Sequence, residues 1–180
     1  MNPLKRVRYF TGQLLTTDDF VTEQDYFLEK HRRHNRHLHG YGVVCGLEIS
    51  TDGVTTINIT PGMAIDCRGQ EITVSGPVES RLPEAGDIAY LTLRYVEKET
   101  GPVPAAGGPV SEEQDAMQNT RIEEGFEIAF ESADPCAGHT WERTHRRSCG
   151  NPHGITIAKL KRSRGKWKIE GQFKQPSARK

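Results

Sequence analysis

The fold is decided by residues 8–50, which read RYFTGQLLTTDDFVTEQDYFLEKHRRHNRHLHGYGVVCGLEIS. Within this stretch the spacing of apolar side chains changes from that of a helix, about 3.6 residues, to that of a strand, 2 residues. Gly40 is a typical helix stop, and a run with strand-like composition begins at Val43. We therefore predict a helix over residues 17–39 that leads directly into the first strand of a β-rich body.

The start of this helix is marked by Thr17, because Asp18 and Asp19 follow it in the first turn, where the helix dipole favours negative charge. One stripe at helical spacing contains Phe20, Gln24, Phe27, His31, Asn35 and Leu38. We predict that Phe20 and Phe27 anchor the helix on its own sheet. The polar members of the stripe must find hydrogen-bond partners in nearby loops or in another subunit.

The last turns of the predicted helix are basic. They carry Arg32, Arg33, Arg36 and His37, together with His31, His34 and His39. We predict that Arg32, Arg33, Arg36 and His37 form an exposed end that contacts an acidic neighbour. We interpret the histidines as part of this solvated or interface-packed end, since the sequence places no convergent third metal ligand near them.

The rest of the chain indicates an antiparallel β body with long loops. Strand-like runs cover 43–50, 54–60, 63–66, 70–75, 88–97, 121–131, 155–162 and 166–170. Residues 100–116, rich in Pro and Gly, predict a long surface loop. The expected fold class is α+β, mainly β, with one N-terminal helix packed on an antiparallel β-sandwich or barrel-like body.

Composition favours one domain over residues 1–180, because 34% hydrophobic residues can form only a modest core. We expect this domain to consist of an arm (1–16), the helix (17–39), a β body (43–131), a Cys/His loop (132–154), a hairpin (155–172) and a flexible tail (173–180). No stretch approaches 18 apolar residues, so we expect no transmembrane segment. No apolar export signal is visible near the N-terminus, and we expect assembly in the cytoplasm.

The formal net charge of zero conceals three blocks of different sign. Residues 1–40 carry +2, residues 41–142 carry −13, and residues 143–180 carry +11. The acidic and basic blocks can pair within one molecule or between copies, so a homo-oligomer is one interpretation. The basic residues after 143 alternate with apolar ones as on the wet face of a hairpin, and we do not expect nucleic-acid binding.

A second candidate site lies in the segment 132–154. Cys136, His139, Cys149 and His153 follow the spacing C-x2-H-x9-C-x3-H, whose two ends resemble those of structural zinc sites. The segment has few apolar residues, so an ion would supply order that packing cannot. Tetrahedral zinc, a Cys136–Cys149 disulfide, free thiols and ligands shared with a neighbour all remain open. Cys45 and Cys67 are predicted to be buried free thiols, with a cross-strand disulfide between them as the alternative.

Catalysis has no positive support in the sequence. A nucleophile elbow, a phosphate-binding loop and a dinucleotide fingerprint are all missing. Three aromatic residues, Tyr95, Trp141 and Trp167, could stack against a sugar, although core packing is the simpler role for each.

Four runs of the sequence together resemble a known group of proteins. They are YFTGQLLTTDDF, EQDYFLEKHRRHNRHLHGYGVVCGLEI, ITPGMAIDCRGQEI and TRIEEGFEIAF, all within residues 8–131. The chain resembles bacterial proteins encoded in clusters for contractile injection systems, which are phage-tail-like particles. The segment PGMAIDCRGQEI is also similar to β domains of phage baseplate and fibre-attachment proteins.

This resemblance implies a non-enzymatic structural or adaptor component, at the baseplate or a fibre junction, with other particle subunits as partners. It also implies release outside the cell as part of a particle. Two alternatives from other classes remain: a metal-binding enzyme or effector cargo that uses the Cys/His segment, and a carbohydrate-binding β domain.

Overall fold

The computed structural model of the protein describes residues 3–104, 117–139, 149, 153–171 and 176–178. The helix α1 spans Thr17–His34 and continues into a π-helical segment, Asn35–His39. The first five strands are β1 (Gly42–Gly46), β2 (Ile49–Thr51), β3 (Thr56–Ile59), β4 (Gly62–Ile65) and β5 (Glu71–Val74). The others are β6 (Val78–Arg81), β7 (Ile88–Pro104), β8 (Met117–Glu131), β9 (Ile155–Ser163) and β10 (Lys166–Ile169).

The helix begins at Thr17, but its N-cap is Thr16 and not Thr17 as the sequence predicts. Thr16 takes the extended N-cap conformation, and its backbone N–H donates to the carboxylate of Asp19 at 2.9 Å. Asp19 therefore acts as the acidic partner of a capping box and not only as a charge in the first turn. Because Thr16 and Thr17 are both good N-cap residues, the sequence alone does not choose between them.

The described strands form three antiparallel sheets. Their orders are β1-β4-β5, β2-β3-β6 and β10-β9-β7-β8. This confirms the predicted class: the protein is mostly β, with one helix on antiparallel sheets and one sheet curled into a half-barrel. The helix meets the first and third sheets, through the contacts described in the next subsection.

The core lies between the three sheets and is built from alternating positions. Leu91 and Leu93 of β7 and Ile155 and Ile157 of β9 are fully buried, as are Ile57 and Ile59 of β3. Successive strand residues point to opposite faces, so each of β3 and β7 presents its apolar set to the same core. Burial of these side chains is the main stabilising contribution to the β body.

The strands differ from the prediction in three places. The run 43–50 is divided into β1 and β2 at Leu47, whose φ of 57° breaks the strand while its side chain is fully buried. The strand β6 was not predicted, because its sequence Val78–Arg81 has one apolar residue and two charged ones. Residues 100–104 belong to β7 and not to a loop; the remainder of the predicted loop, 105–116, lies outside the described residues.

The two longest strands extend beyond their sheet. β7 pairs with β9 only from Ile88 to Leu93, whereas it pairs with β8 as far as Pro104. The outer parts, residues 94–104 and 117–127, therefore form a two-stranded ribbon. Most of its side chains are exposed.

The strands β9 and β10 form a hairpin within residues 155–172, with Arg164 and Gly165 at positive φ in its turn. Residues 176–178, part of the predicted tail, lie beside β1. Val43 N–H donates to the Pro176 carbonyl at 2.7 Å, and Ala178 N–H donates to the Val43 carbonyl at 3.1 Å. Residues 172–175 and 179–180 lie outside the described part of the chain.

The helix is not anchored in the way the sequence predicts. None of the 18 residues of α1 is buried, and Phe20 and Phe27 are 53% and 59% exposed. The prediction that these two rings hold the helix on its own sheet is therefore wrong. No helix in the described part of the chain is long and apolar enough to cross a membrane.

Candidate functional site

The helix is attached to the β body through its C-terminal end and the turn between β4 and β5. The buried side chain of Asn35 donates to the carbonyl of Gly69 at 3.0 Å and to the carboxylate of Glu71 at 3.1 Å. Arg36 donates to the carbonyl of Arg68 at 2.5 Å. The π-helical segment thus carries side chains that satisfy the carbonyl groups of this turn.

The turn itself is held by Asp66, whose buried carboxylate accepts the backbone N–H groups of Arg68 and Gln70, both at 2.8 Å. Burial raises the pKa of Asp66, and these two hydrogen bonds oppose that rise. Gly69 has a φ of +85°, and a Cβ there would lie 2.2 Å from the Arg32 carbonyl oxygen. A glycine is therefore required for the close contact between the turn and the helix.

The predicted basic end is less exposed than expected. The arginine side chains at 32, 33 and 36 are half-buried and lie within 3.5 Å of carboxylates of the same chain. Arg33 and Arg36 share Glu29, and Arg32 faces Glu97 across the start of the ribbon. His37 is half-buried in the π-helical segment. Contact of these residues with another subunit stays a prediction.

The helix histidines lie close together without forming a metal site among the described residues. The rings of His34 and His39 have centroids 5.4 Å apart, and His31 Nε2 lies 3.2 Å from Glu71 Oε1. Among the described residues, one group of at least three His, Cys, Asp or Glu side chains is close enough together to bind a metal ion. This group lies elsewhere, beside the turn that holds Cys67.

That group is the Cys/His cluster, defined as Cys67, His139, Cys149 and His153. One ligand atom from each residue lies within 4.8 Å of the other three. Nε2 of His153 lies 3.3 Å from Cys67 Sγ and 3.2 Å from Cys149 Sγ. Cys149 Sγ in turn lies 3.5 Å from His139 Nε2. A set of two thiols and two imidazoles at such distances can bind a metal ion or share hydrogen bonds.

Neighbouring groups orient both histidines. Nδ1 of His153 lies 2.8 Å from the Gly154 carbonyl, which fixes Nδ1 as the protonated nitrogen and leaves the lone pair on Nε2 facing the thiols. Tyr41 donates its hydroxyl to the His139 carbonyl at 3.0 Å and meets the His139 ring edge-on. Tyr41 lies two residues after the end of the π-helical segment, so this residue links the end of the helix to the cluster.

Three of the four ligands predicted from the sequence are in this cluster, and Cys136 is replaced by Cys67. Cys136 is buried, and its thiol donates to the Gly154 carbonyl at 3.6 Å, the same oxygen that His153 uses. Cys67 is buried as predicted, whereas Cys45 is exposed on β1, contrary to prediction. All four cysteines are free thiols, so the Cys136–Cys149 disulfide is not formed in this structure.

Sequence spacing could not reveal Cys67, because it lies 86 residues before His153 and no other Cys or His is near it in the sequence. The sequence feature that could have indicated Cys67 as a ligand is its position in a tight turn, which contains Gly69 and joins two short strands. Burial, and then the proximity of Cys149, raises the pKa of the Cys67 thiol. A cation between the two sulfur atoms would offset both effects.

The two described candidates for sugar stacking, Tyr95 and Trp167, do not form one surface. Trp167 is buried, and its Nε1 donates to the Pro83 carbonyl at 3.0 Å, which makes it a core residue. Tyr95 is half-buried and donates its hydroxyl to Glu97 at 2.9 Å. Trp141 lies outside the described residues.

A second surface feature is the apolar face of α1, defined as Phe20, Val21, Phe27 and Leu28. All four side chains are 43% exposed or more. At 100° per residue they fall within one third of the helix circumference, so they form a single face. Exposed apolar residues continue on the preceding arm at Tyr9, Phe10, Leu14 and Leu15. Contiguous apolar surface of this kind is typical of a protein interface.

Comparison with known proteins finds similarity at the level of fold. No protein-family model matches the chain, and neither does any curated protein. A chain of the baseplate complex from the type VI secretion system aligns with 97% of this protein and 60% of its own length, with a TM-score of 0.56 and 13% identity. A chain of the type VI TssK-TssF-TssG baseplate subcomplex aligns over 97% and 62%, with the same score and identity.

The crystal structure of TssK aligns with 93% of this protein and 41% of its own length, with a TM-score of 0.53 and 12% identity. The protein therefore spans between two fifths and about three fifths of the chains it resembles. At these identities the similarity concerns the fold alone, and that fold is one found in components of type VI secretion baseplates.

Proposed function

We propose that this protein is a non-enzymatic structural component of the baseplate of a contractile injection system. In this role it docks onto a different baseplate subunit through the apolar face of α1. The fold similarity to type VI secretion baseplate components supports the proposal at a coarse level. The sequence resemblance to proteins encoded with phage-tail-like particles supports the same class of assembly.

The exposure of α1 is the observation that carries the docking role. The helix is about 27 Å long, and its contacts with the sheets involve its last turns: His31 with Glu71 and Arg32 with Glu97. Four large apolar side chains on one face of the helix are 43–59% exposed, so much of their apolar surface stays in water in the isolated protein. Burial of this exposed part against a partner would contribute roughly half of the 1.5–3 kcal/mol that full burial of each side chain gives.

The charge around this face indicates the chemistry of the partner. Asp18 and Asp25 are exposed in the N-terminal half of the helix, which also carries Phe20. The arginines of the C-terminal half are already paired with Glu29 and Glu97. The first half of the helix, residues 17–25, therefore carries four acidic side chains and no basic one. The matching surface is an apolar groove with a basic rim, as expected when complementary charge selects the partner.

A binding experiment with matched variants tests this proposal. The protein would be mixed with the baseplate subunits of its own particle, and complexes would be separated by size and identified by mass. We expect the wild type to elute with one of these subunits and Phe20→Ser/Phe27→Ser to elute alone. Ile122→Ser is the control, because Ile122 is 64% exposed on the ribbon, away from α1; this variant should still bind.

Three outcomes contradict the proposal. One is a wild-type protein that binds none of these subunits. Another is a double variant that binds as well as the wild type, which would place the interface elsewhere. The third is a wild-type protein that forms only homo-oligomers lost in the double variant, because a second copy would then be the occupant of the face.

The alternative of a metal-dependent enzyme is less well supported by the Cys/His cluster. A catalytic zinc site keeps one coordination position for water or substrate, whereas four protein ligands fill a tetrahedral ion. The carbohydrate-binding alternative is also less well supported, because Trp167 is buried in the core and cannot stack against a sugar.

A further inference from the structure

We propose that Cys67, His139, Cys149 and His153 bind one zinc ion in a closed structural site. Such a site would join the β4–β5 turn to the segments that follow β8 and precede β9. It goes beyond the proposed docking function, because it concerns how the β body is held together and does not depend on the particle.

The distances between the donor atoms fit a tetrahedral ion. Zn–S bonds of about 2.3 Å and Zn–N bonds of about 2.0–2.1 Å imply S···N separations of about 3.6 Å in a regular tetrahedron. The three S···N contacts in the cluster measure 3.2, 3.3 and 3.5 Å. The remaining pairs lie within 4.8 Å, so zinc needs a contraction of about 1.5 Å at most.

The chemistry of the donor set selects the metal. Two thiolates and two neutral imidazoles suit zinc, whereas calcium and magnesium require oxygen ligands. The two thiolates also balance the 2+ charge of the ion, so a half-buried site carries no net charge. Cys67 is buried and the other three ligands are half-buried, which is typical of a structural site and not of an adventitious surface one.

The surroundings hold the ligands in the required orientation. The Gly154 carbonyl accepts from His153 Nδ1 and so directs Nε2 toward the cluster; this kind of support is common around metal-binding histidines. Asp66 fixes the turn on one side of Cys67 through its two backbone hydrogen bonds. Tyr41 supports the backbone of His139.

Zinc would act on parts of the chain that are far apart in sequence. Cys67 and His153 are 86 residues apart, and closing such a long loop removes many conformations from the unfolded chain. The turn that carries Cys67 also accepts the hydrogen bond of Asn35 through Gly69. The ion would therefore stabilise the platform to which the end of α1 is attached.

Two other chemistries compete for the same atoms, namely thiol–imidazole hydrogen bonds without metal and a Cys67–Cys149 disulfide. Cys136 provides a matched control, since it is also a buried thiol beside the cluster but donates to the Gly154 carbonyl. The comparison of Cys67→Ser with Cys136→Ser therefore separates the ligand set of the structure from the set suggested by sequence spacing.

The first test is elemental analysis of protein purified under reducing conditions without chelators, before and after incubation with zinc. We expect about one zinc per chain in the wild type and in Cys136→Ser, and less than about a tenth in Cys67→Ser. A wild type that holds no zinc after incubation overturns the proposal. Loss of zinc from Cys136→Ser with retention in Cys67→Ser also overturns it.

The second test uses the wild type alone and remains valid if Cys67→Ser fails to fold. Alkylation of the thiols would be followed by mass spectrometry, with and without a zinc chelator, and the exposed Cys45 would be the internal reference. We expect zinc to protect the half-buried Cys149 at least tenfold relative to Cys45, and the chelator to remove this protection. Equal reactivity of Cys149 in the two states, or a Cys67–Cys149 disulfide found under the same reducing conditions, overturns the proposal.

Discussion

Asn35 Nδ2 lies 3.0 Å from the carbonyl oxygen of Gly69, and this hydrogen bond joins the π-helical end of α1 to the β4–β5 turn. Asn35 is only 3% exposed, and its amide also reaches Glu71. The position of the helix thus depends on one buried polar side chain more than on apolar packing. Buried hydrogen bonds specify geometry strongly, because the groups they satisfy cannot turn to water.

Asn35→Ala should lower the free energy of unfolding by about 1–3 kcal/mol, since it leaves the Gly69 carbonyl without its buried donor. Chemical denaturation followed by circular dichroism measures this change. Asn58→Ala, on the exposed face of β3, is the control and should change the value by less than about 0.5 kcal/mol. An equal effect of the two variants would show that the Asn35 contact does not hold the helix.

Gly69→Ala should destabilise the protein by at least about 2 kcal/mol more than Gly12→Ala. Both glycines have a φ of +85°, so the conformational cost of alanine is similar at the two sites. A Cβ at position 69 would lie 2.2 Å from the Arg32 carbonyl oxygen, whereas nothing lies within 4 Å at position 12. Thermal unfolding of the two variants makes the comparison; similar melting temperatures would contradict the close approach of helix and turn.

Phe27→Ala should change the free energy of unfolding by less than about 0.5 kcal/mol, because the ring is mostly exposed. Leu93→Ala, which removes a fully buried side chain, should cost about 2–5 kcal/mol and serves as the reference. Urea denaturation provides both values. A loss above about 2 kcal/mol for Phe27→Ala would mean that the ring packs on the body after all.

Asp52→Asn should destabilise the protein at pH 7 and have a smaller effect at pH 3. The Asp52 carboxylate accepts the hydroxyl of Thr55 and the backbone N–H groups of Val54, Thr55 and Thr56, which hold its pKa well below the usual range. A lowered folded-state pKa stabilises the fold above the unfolded pKa of about 3.9, and this contribution declines as the pH falls below that value. Melting temperatures at the two pH values test the prediction, and an equal difference at both would contradict it.

The sequence was sufficient for the fold class and for most elements, because their signals are local. The β9–β10 hairpin follows from alternating residues around Ser163 and Gly165, and the helix follows from its caps. The exposure of Phe20 and Phe27 was beyond such reasoning. Helical spacing shows that two rings share a face, but it does not show whether the chain's own sheet or a partner covers that face.

The Cys/His cluster shows the same limit for a site. His139, Cys149 and His153 lie within one short segment, and their spacing led to a metal hypothesis that included Cys136. The remaining member, Cys67, lies in the turn between β4 and β5. The antiparallel pairing of these strands places this turn beside His153. Contacts that depend on sheet pairing between distant segments leave no periodic trace in the sequence.

The long β7 also has a mechanical consequence. Its first part lies between β8 and β9 in the sheet, and its last part forms the ribbon with β8. Tension applied to the ribbon along its axis would pass directly into a central strand. The interstrand hydrogen bonds lie perpendicular to the strands, so they would carry this load together, in shear, instead of opening one after another. The ribbon is thus joined to the body in the direction in which a β-sheet best resists force.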